Sequence, residues 1–186
     1  GKKIDEDGFS IGGVLFGLFR PEETTFTEET ALLTAESNEI GVFGFFNVPY
    51  GHWIVRELKP APAFVLNETL YPVTISEQEE TIEITAENRY ITGAVQTTKV
   101  DAAYPGNKLS GAVFEVYVDV DGNREFDAAI DRPAGKLAET EPGIYRLDGL
   151  RYNGYFLHEA ASPEGFLPDE GYYYFEIRED GKTVIV

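Results

Sequence analysis

Two glutamates stand out because each lies in a strand-like stretch on the side that should face a core. Glu57 and Glu159 both follow aromatic or aliphatic residues placed two and four positions earlier, so strand alternation puts them on an apolar face. A carboxylate on such a face is costly unless it is neutral or paired. A neutral buried carboxyl group can also exchange protons with a neighbouring group. These two positions are therefore the first candidates for chemistry in the chain.

The surroundings of the two glutamates occur twice in the same order, which indicates an internal repeat. The same spacing of 16 residues separates each glutamate from an earlier glycine, Gly41 or Gly143. A Lys-x-Asp triplet precedes each glycine, at residues 3–5 and 99–101. Equal spacing through a turn and a whole strand predicts two copies of one structural unit.

The repeat predicts two domains, residues 1–91 and 92–186, each of ordinary domain size. Short stretches rich in Val, Ile, Phe, Tyr and Thr alternate with Gly, Pro and Asp clusters, which predicts strands and no helix. Segments 41–47 and 80–86 are among the predicted strands, and 22–38 is predicted to be a long loop. Many short strands of this kind predict an all-β fold of two antiparallel β-sandwich domains.

The charge of the chain limits its partners. Its 186 residues include 33 Asp and Glu against 15 Lys and Arg, a formal net charge of −18. Nucleic acids and anionic membranes would repel it, so neither is expected as a partner. The absence of cysteine excludes disulfides and thiolate chemistry, and no apolar run is long enough to span a bilayer. The start at Gly1, with no visible signal peptide or wall anchor, is what we expect of an excised fragment.

The second copy is similar to the glutamate box of Gram-positive pilins, Y-x-L-x-E-T-x-A-P-x-G-Y. Its matching residues are Tyr155, Leu157, Glu159, Pro163 and Gly165, and Phe166 replaces the final tyrosine. The first copy matches more loosely, through Trp53, Val55, Glu57 and Phe64. Both copies therefore resemble the Cna protein B-type (SpaA-like, prealbumin-like) repeat domains of Gram-positive pilins and surface adhesins. The resemblance implies tandem Ig-like, transthyretin-like β-sandwiches.

Domains of this family carry an intramolecular isopeptide bond between a first-strand Lys and a last-strand Asn, promoted by a buried Glu or Asp. In the first domain the equivalent residues are Lys3, Glu57 and Asn88. In the second domain they are Lys99 and Glu159, and the alignment expects the Asn about two residues beyond Val186. The resemblance thus predicts a finished cross-link in the first domain, and a second domain that lacks its final Asn-bearing segment.

The bond requires an unusual lysine. A Lys amine is a nucleophile only when it is neutral, and its free pKa is about 10.4. Burial among aromatic side chains disfavours the charged form, and a protonated Glu57 could hold the carboxamide and relay protons as ammonia leaves. The alternative is that Lys3 is a surface lysine and Glu57 a strand-edge carboxylate. Because the reaction would occur once and in cis, we do not expect an enzyme, and no cofactor is required.

An acidic segment of the second domain is a candidate calcium site. Alternate oxygen-bearing side chains around Gly122 are what a hard cation such as Ca²⁺ requires. The segment is not an EF-hand, because its glycine stands at the fourth position and Ile130 at the twelfth. An acidic hairpin loop without an ion is the alternative, and both stay open. The candidate ligands are Asp119, Asp121, Asn123, Glu125 and Asp127.

The resemblance implies a structural stalk or spacer in a Gram-positive pilin or adhesin. Such a protein is extracellular, anchored to the cell wall or built into a pilus, and serves cell adhesion. The partners would be neighbouring domains of the same surface protein. The alternative is a carbohydrate- or host-protein-binding module of a secreted surface protein, for which the aromatic run at 172–174 is the candidate platform.

Overall fold

A computed structural model describes all residues 1–186, which form two compact units, Gly1–Tyr90 and Ile91–Val186. We refer to them as unit 1 and unit 2. Every regular element in both units is a strand, so the predicted all-β class is confirmed. The structure has no helix long and apolar enough to cross a membrane.

Unit 1 contains six strands in two sheets. They are β1 Lys2–Asp5, β2 Leu15–Phe19, β3 Leu33–Glu36, β4 Gly51–Lys59, β5 Tyr71–Ile75 and β6 Thr85–Asn88. A four-stranded antiparallel sheet has the order β3-β2-β4-β5. The first and last strands, β1 and β6, pair in parallel as a separate two-stranded sheet.

Unit 2 contains eight strands, also in two sheets. They are β7 Thr92–Thr98, β8 Val113–Val118, β9 Arg132–Lys136, β10 Ala138–Glu141, β11 Ile144–Arg151, β12 Asn153–Ala161, β13 Tyr172–Ile177 and β14 Thr183–Ile185. One sheet has the order β13-β12-β8-β9 and the other β10-β11-β7-β14. The first and last strands of this unit, β7 and β14, are again a parallel pair.

The core of unit 1 follows the alternation predicted from the sequence, whereas on β12 of unit 2 Tyr155, Phe156 and Leu157 are all buried. On β4 the side chains of Trp53, Val55 and Glu57 are buried, while the residues between them are partly exposed. Each apolar side chain buried in this way contributes about 1.5–3 kcal/mol to folding. The glutamates therefore share a face with the residues that hold the sheets together.

The structure differs from the predicted strands in three places of unit 1. Segment 41–47 is not a strand, and Val42 makes only an isolated bridge with Lys2. The last strand, β6, covers Thr85–Asn88, so it begins five residues later and ends two residues later than the predicted strand 80–86. The predicted loop 22–38 contains β3, which pairs with β2 along its edge. In each case pairing with a distant strand decides the state of the backbone, and local composition does not encode that pairing.

Candidate cross-link site

The parallel pairing of β1 with β6 brings together the two ends of unit 1. Lys3 lies opposite Ala86, and Asp5 lies opposite Asn88. Strand β4 of the other sheet supplies Glu57 from across the core. Three polar side chains that are far apart in the sequence therefore meet inside one apolar core.

Their side chains make direct contact. The Nζ of Lys3 donates a hydrogen bond to Oδ1 of Asn88. The Nδ2 of Asn88 donates to Oε1 of Glu57 at 2.8 Å, and Lys3 Nζ lies 3.0 Å from Oε2 of the same carboxyl group. One carboxyl group thus contacts both the amine and the carboxamide nitrogen, which suits a proton transfer between them.

All three residues are hidden from solvent. Lys3 is 0%, Glu57 1% and Asn88 2% exposed. Burial lowers the pKa of the Lys3 amine below its ordinary value, while the hydrogen bond and charge of Glu57 act in the opposite direction. The surface-lysine alternative is therefore incompatible with the fold, because a lysine in this position has no water to solvate its charge.

Aromatic rings and one glycine hold Lys3 in place. Phe16 stacks on Phe43 with ring centroids 3.9 Å apart, and Lys3 Nζ lies 5.9 Å from the Phe16 centroid. The backbone N–H of Lys3 donates to the carbonyl of Gly41 at 2.7 Å. Gly41 has φ +72°, and a Cβ there would collide with the Lys3 carbonyl oxygen. The glycine of the repeat thus lets the turn approach the lysine strand closely.

Sequence reasoning missed one member of the site. The backbone N–H of Asn67 faces Oε1 of Glu57 at 3.4 Å, and its side-chain Nδ2 donates to the carbonyl of Glu87 at 2.7 Å. Asn67 therefore ties the glutamate strand to the residue next to Asn88. The signal was in the repeat, because Asp169 stands at the same distance after the second glutamate and its N–H donates to Glu159 at 2.7 Å.

Unit 2 holds only the lysine and the glutamate of this arrangement. Lys99 Nζ lies 2.7 Å from Oε2 of Glu159, with side-chain exposures of 16% and 2%. The other carboxyl oxygen, Oε1 of Glu159, is buried and has no hydrogen-bond partner. In unit 1 the corresponding carboxyl group binds the Asn88 carboxamide. Oε2 of Glu57 in unit 1 likewise makes no hydrogen bond, although Lys3 Nζ lies 3.0 Å from it, so the ion pair of unit 2 differs from unit 1 by the carboxamide and not by an unpaired oxygen.

The strand register revises the expected position of the missing asparagine. Ile185 on β14 lies opposite Gln96 on β7, five residues before Asp101. In unit 1, Asn88 lies opposite Asp5, the equivalent of Asp101. Continued in register, β14 would place the equivalent of Asn88 four residues beyond Val186 and not two. The register and the sequence alignment thus give expectations that differ by two residues, because the alignment matched strand composition without knowing the pairing.

The acidic segment of unit 2 folds into a loop organised by two buried aspartates. Carboxylate oxygens of Asp119, Asp121 and Asp131 lie within 4.8 Å of one another. Asp119 accepts backbone N–H bonds from Gly122 and Arg124, and Asp131 accepts them from Val120 and Asp127. Glu125 and Asp127 are not members of this cluster, whereas Nδ2 of Asn123 donates to Asp121 at 2.9 Å. The loop is therefore held by its own backbone, and calcium binding stays a prediction.

The aromatic run at 172–174 makes contacts within unit 2. The ring of Tyr172 stacks on Phe126 at 3.7 Å and on His158 at 4.2 Å. The hydroxyl of Tyr173 donates to Asp169 at 2.7 Å. Both residues therefore have partners within the unit while 38% and 48% of their surface stays exposed, and the sugar-binding platform stays a prediction.

Comparison with known proteins identifies the family. The sequence profile of the SpaA prealbumin-like fold domain matches residues 1–90 and again residues 93–186. The chain belongs to this family. The double match agrees with the repeat seen in the sequence and with the paired first and last strands of each unit.

The chain is similar to several solved structures, to different degrees. The chain is similar to the Bacillus anthracis TIE protein, with a TM-score of 0.80 at 23% identity over 100% of this chain and 32% of that one. It also matches a streptococcal ancillary pilin (TM-score 0.42, 21% identity, 99% of this chain and 60% of that one). A minor pilin of Streptococcus agalactiae matches with a TM-score of 0.37 at 22% identity, over 96% of this chain and 82% of that one.

The SpaA-type chain thus spans about a third of the length of the TIE protein and 60% of the ancillary pilin. No curated protein matches it by sequence. The likeness to the TIE protein confirms the predicted fold, two tandem prealbumin-like β-sandwich repeats.

Proposed function

We propose that the chain is a stalk or spacer segment of a Gram-positive surface protein, a pilin or an adhesin, and that a Lys3–Asn88 isopeptide bond stiffens its first unit. The observation that carries the proposal is the buried contact of Lys3 Nζ with the Asn88 carboxamide, bridged by Glu57. Membership of the SpaA family and the glutamate box support it. The partners in this role are neighbouring domains of the same surface protein.

The arrangement supports a complete reaction. The neutral amine of Lys3 attacks Cγ of Asn88, so that an N–C bond forms, the Cγ–Nδ2 bond breaks and ammonia leaves. Oε2 of Glu57 faces the attacking nitrogen and Oε1 faces the leaving nitrogen, at 3.0 and 2.8 Å. Glu57 can therefore accept a proton from the amine and deliver one to Nδ2, ending as it began. The dry core keeps water from competing for the carboxamide.

The reaction happens once in each molecule, so the chain is not proposed to be an enzyme. The product links residues that are 85 positions apart. A cross-link that closes a loop of this length stabilises the folded state by about 4–5 kcal/mol when it acts as a disulfide of the same span does.

The place of the bond suits a protein that carries tension. A force applied to the two ends of the chain enters unit 1 before Lys3 and leaves it after Asn88. The covalent link then carries this force past residues 4–87, and those residues stay folded. Lys99 and Glu159 make only an ion pair, so they give unit 2 no such protection.

Stretching single molecules of the full chain by their ends tests this proposal. We expect one unfolding step, from unit 2, which releases roughly 300 Å of contour length at about 3.3–3.6 Å per residue. Asn88→Ala should add a second step of similar length from unit 1. Two unfolding steps in the unaltered chain would contradict the proposal.

A further inference from the structure

Two side-chain contacts join the first and last strands of unit 1 along the same diagonal. Lys3 Nζ donates to Oδ1 of Asn88, and the contact spans 85 residues. The hydroxyl of Tyr90 donates to Oδ2 of Asp5 at 2.6 Å, and this contact also spans 85 residues. In the parallel pairing Lys3 lies opposite Ala86 and Asp5 opposite Asn88, so both contacts reach two residues beyond the direct partner. The second contact therefore forms only in the register that brings the lysine to its asparagine.

The alternation of β1 and β6 does not by itself specify that register. Each strand has four residues, and every second side chain is buried. A shift by two residues therefore keeps the same side chains on the core face. It would move Ala86 or Tyr90 to the place of Asn88 beside Lys3, and neither has a carboxamide for the amine to attack. A contact that selects the observed register thus brings the reacting groups together.

Both ends of the contact between Asp5 and Tyr90 are held by other groups. Oδ1 of Asp5 accepts the backbone N–H groups of Asp7 and Phe9 at 3.0 and 2.8 Å. The ring of Tyr90 packs on Phe64 with centroids 4.6 Å apart, and a backbone bridge joins the same two residues. Asp5 is 3% exposed, so little water competes for its carboxylate. A hydrogen bond between a hydroxyl and a carboxylate that are both fixed in this way is a strong and directional one.

We propose that Tyr90 is a positioning residue, whose hydrogen bond to Asp5 holds β6 in the register that presents Asn88 to the lysine amine. This role rests on the proposed function, and Tyr90 takes no part in the proton transfers, which stay with Glu57. A misplacement of reacting atoms by about 1 Å can cost about a hundredfold in rate. Loss of the hydrogen bond loosens the register without abolishing it, so it should slow the closure of the cross-link by about tenfold.

Refolding of the full chain, prepared unfolded and without the cross-link, tests the proposal. Trp53 is the single tryptophan and lies in the core of unit 1, so its fluorescence follows the folding of this unit. Mass spectrometry of samples taken at intervals follows the loss of ammonia. The two signals together separate the rate of closure from the rate of folding.

Three substitutions isolate the hydrogen bond. Tyr90→Phe removes the hydroxyl and keeps the ring that packs on Phe64. Asp5→Asn keeps one oxygen for the backbone N–H groups and replaces the oxygen that faces Tyr90 by an amide nitrogen. The matched control is Tyr50→Phe, at a residue of the same unit that is 65% exposed.

Tyr90→Phe and Asp5→Asn should each reach the Trp53 fluorescence of the unaltered chain and then close about tenfold more slowly. Tyr50→Phe should close at the unaltered rate. The double variant should be no slower than the slower single variant, because both changes remove the same hydrogen bond.

Closure of Tyr90→Phe at the unaltered rate would overturn the proposal, and so would a double variant in which the two delays multiply. A delay that only matches a smaller folded fraction, measured by Trp53 fluorescence, would show a purely structural role and would also overturn it. An unaltered chain that folds and keeps its ammonia would contradict the proposed function itself, and the role of Tyr90 would fall with it. The unaltered chain thus distinguishes the two failures.

Discussion

The two units place the same lysine and glutamate in equivalent positions and differ in the third residue. In unit 1, Asn88 joins Lys3 and Glu57, and every one of these side chains is buried. In unit 2, Lys99 pairs with Glu159 alone and keeps 16% of its side-chain surface exposed. The comparison teaches that a buried Lys–Glu pair is by itself only an ion pair. In the proposed reaction, the carboxamide of Asn88 supplies the carbon that the lysine attacks.

Of all the variants, Asn88→Ala should have the largest effect on stability, because it removes the residue that distinguishes unit 1 from unit 2. Removing the carboxamide removes the cross-link, so unit 1 should lose about 4–5 kcal/mol of its free energy of unfolding. Calorimetry of the full chain measures the loss as a lower melting temperature for unit 1. The control is Asn107→Ala in an exposed loop, which should change stability by less than about 0.5 kcal/mol. Equal stability of Asn88→Ala and the unaltered chain would refute the cross-link.

Glu159→Ala tests the other half of the comparison. It leaves Lys99 largely buried without a partner, so unit 2 should lose about 3 kcal/mol while the covalent mass changes only by the substitution. Glu179→Ala removes a pair with Lys182 in which both side chains are more than half exposed, and it should cost no more than about 0.5 kcal/mol. Similar losses from the two variants would show that the buried pair has no special role.

The rate of cross-linking should depend on pH through Lys3. Burial lowers the pKa of its amine, so the folded precursor loses this proton at a lower pH than the unfolded chain. At pH values below the pKa of Lys3 in the folded precursor, the rate should therefore rise about tenfold per pH unit, which corresponds to 1.36 kcal/mol. The rate should level off at a pH below 10.5, the ordinary pKa of a lysine. Mass spectrometry of chains prepared unfolded and then refolded at a series of pH values measures it. A rate that still climbs above pH 10.5 would indicate a lysine exposed to water.

Calcium should have the smallest effect. The buried side chains of Asp119 and Asp131 already accept backbone N–H bonds. We therefore expect unit 2 to have the same melting temperature with Ca²⁺ as with a chelator. Calcium bound at 100 times its dissociation constant would add about 2.7 kcal/mol. A rise in the melting temperature of unit 2 that disappears in Asp121→Ala would establish the calcium site instead.

Strand periodicity and the repeat were enough to predict the fold class and the face that carries Glu57. Apolar residues two and four positions before each glutamate specify that face without any knowledge of the partner strand. The roles of Lys3 and Asn88 came from family resemblance, and the structure then places both side chains against Glu57. The sequence shows this pattern because every second side chain from Trp53 to Glu57 on β4 is buried.

The sequence could not reveal features that depend on pairing between distant strands. Segment 41–47 has strand composition, yet it forms no strand, and Val42 makes only an isolated bridge with Lys2. The two-residue difference between the alignment and the register of β14 has the same origin, because composition does not fix register. Asn67 was missed because its contribution to the glutamate comes mainly from the backbone.

The intact mass of the purified chain tests the central claim most directly. We predict a mass below that of the sequence by one ammonia, and a fragment after proteolysis that joins the peptides of Lys3 and Asn88. Lys99→Ala should leave that deficit unchanged, and Asn88→Ala should abolish it. A mass equal to that of the full sequence, with both peptides recovered separately, would contradict the account.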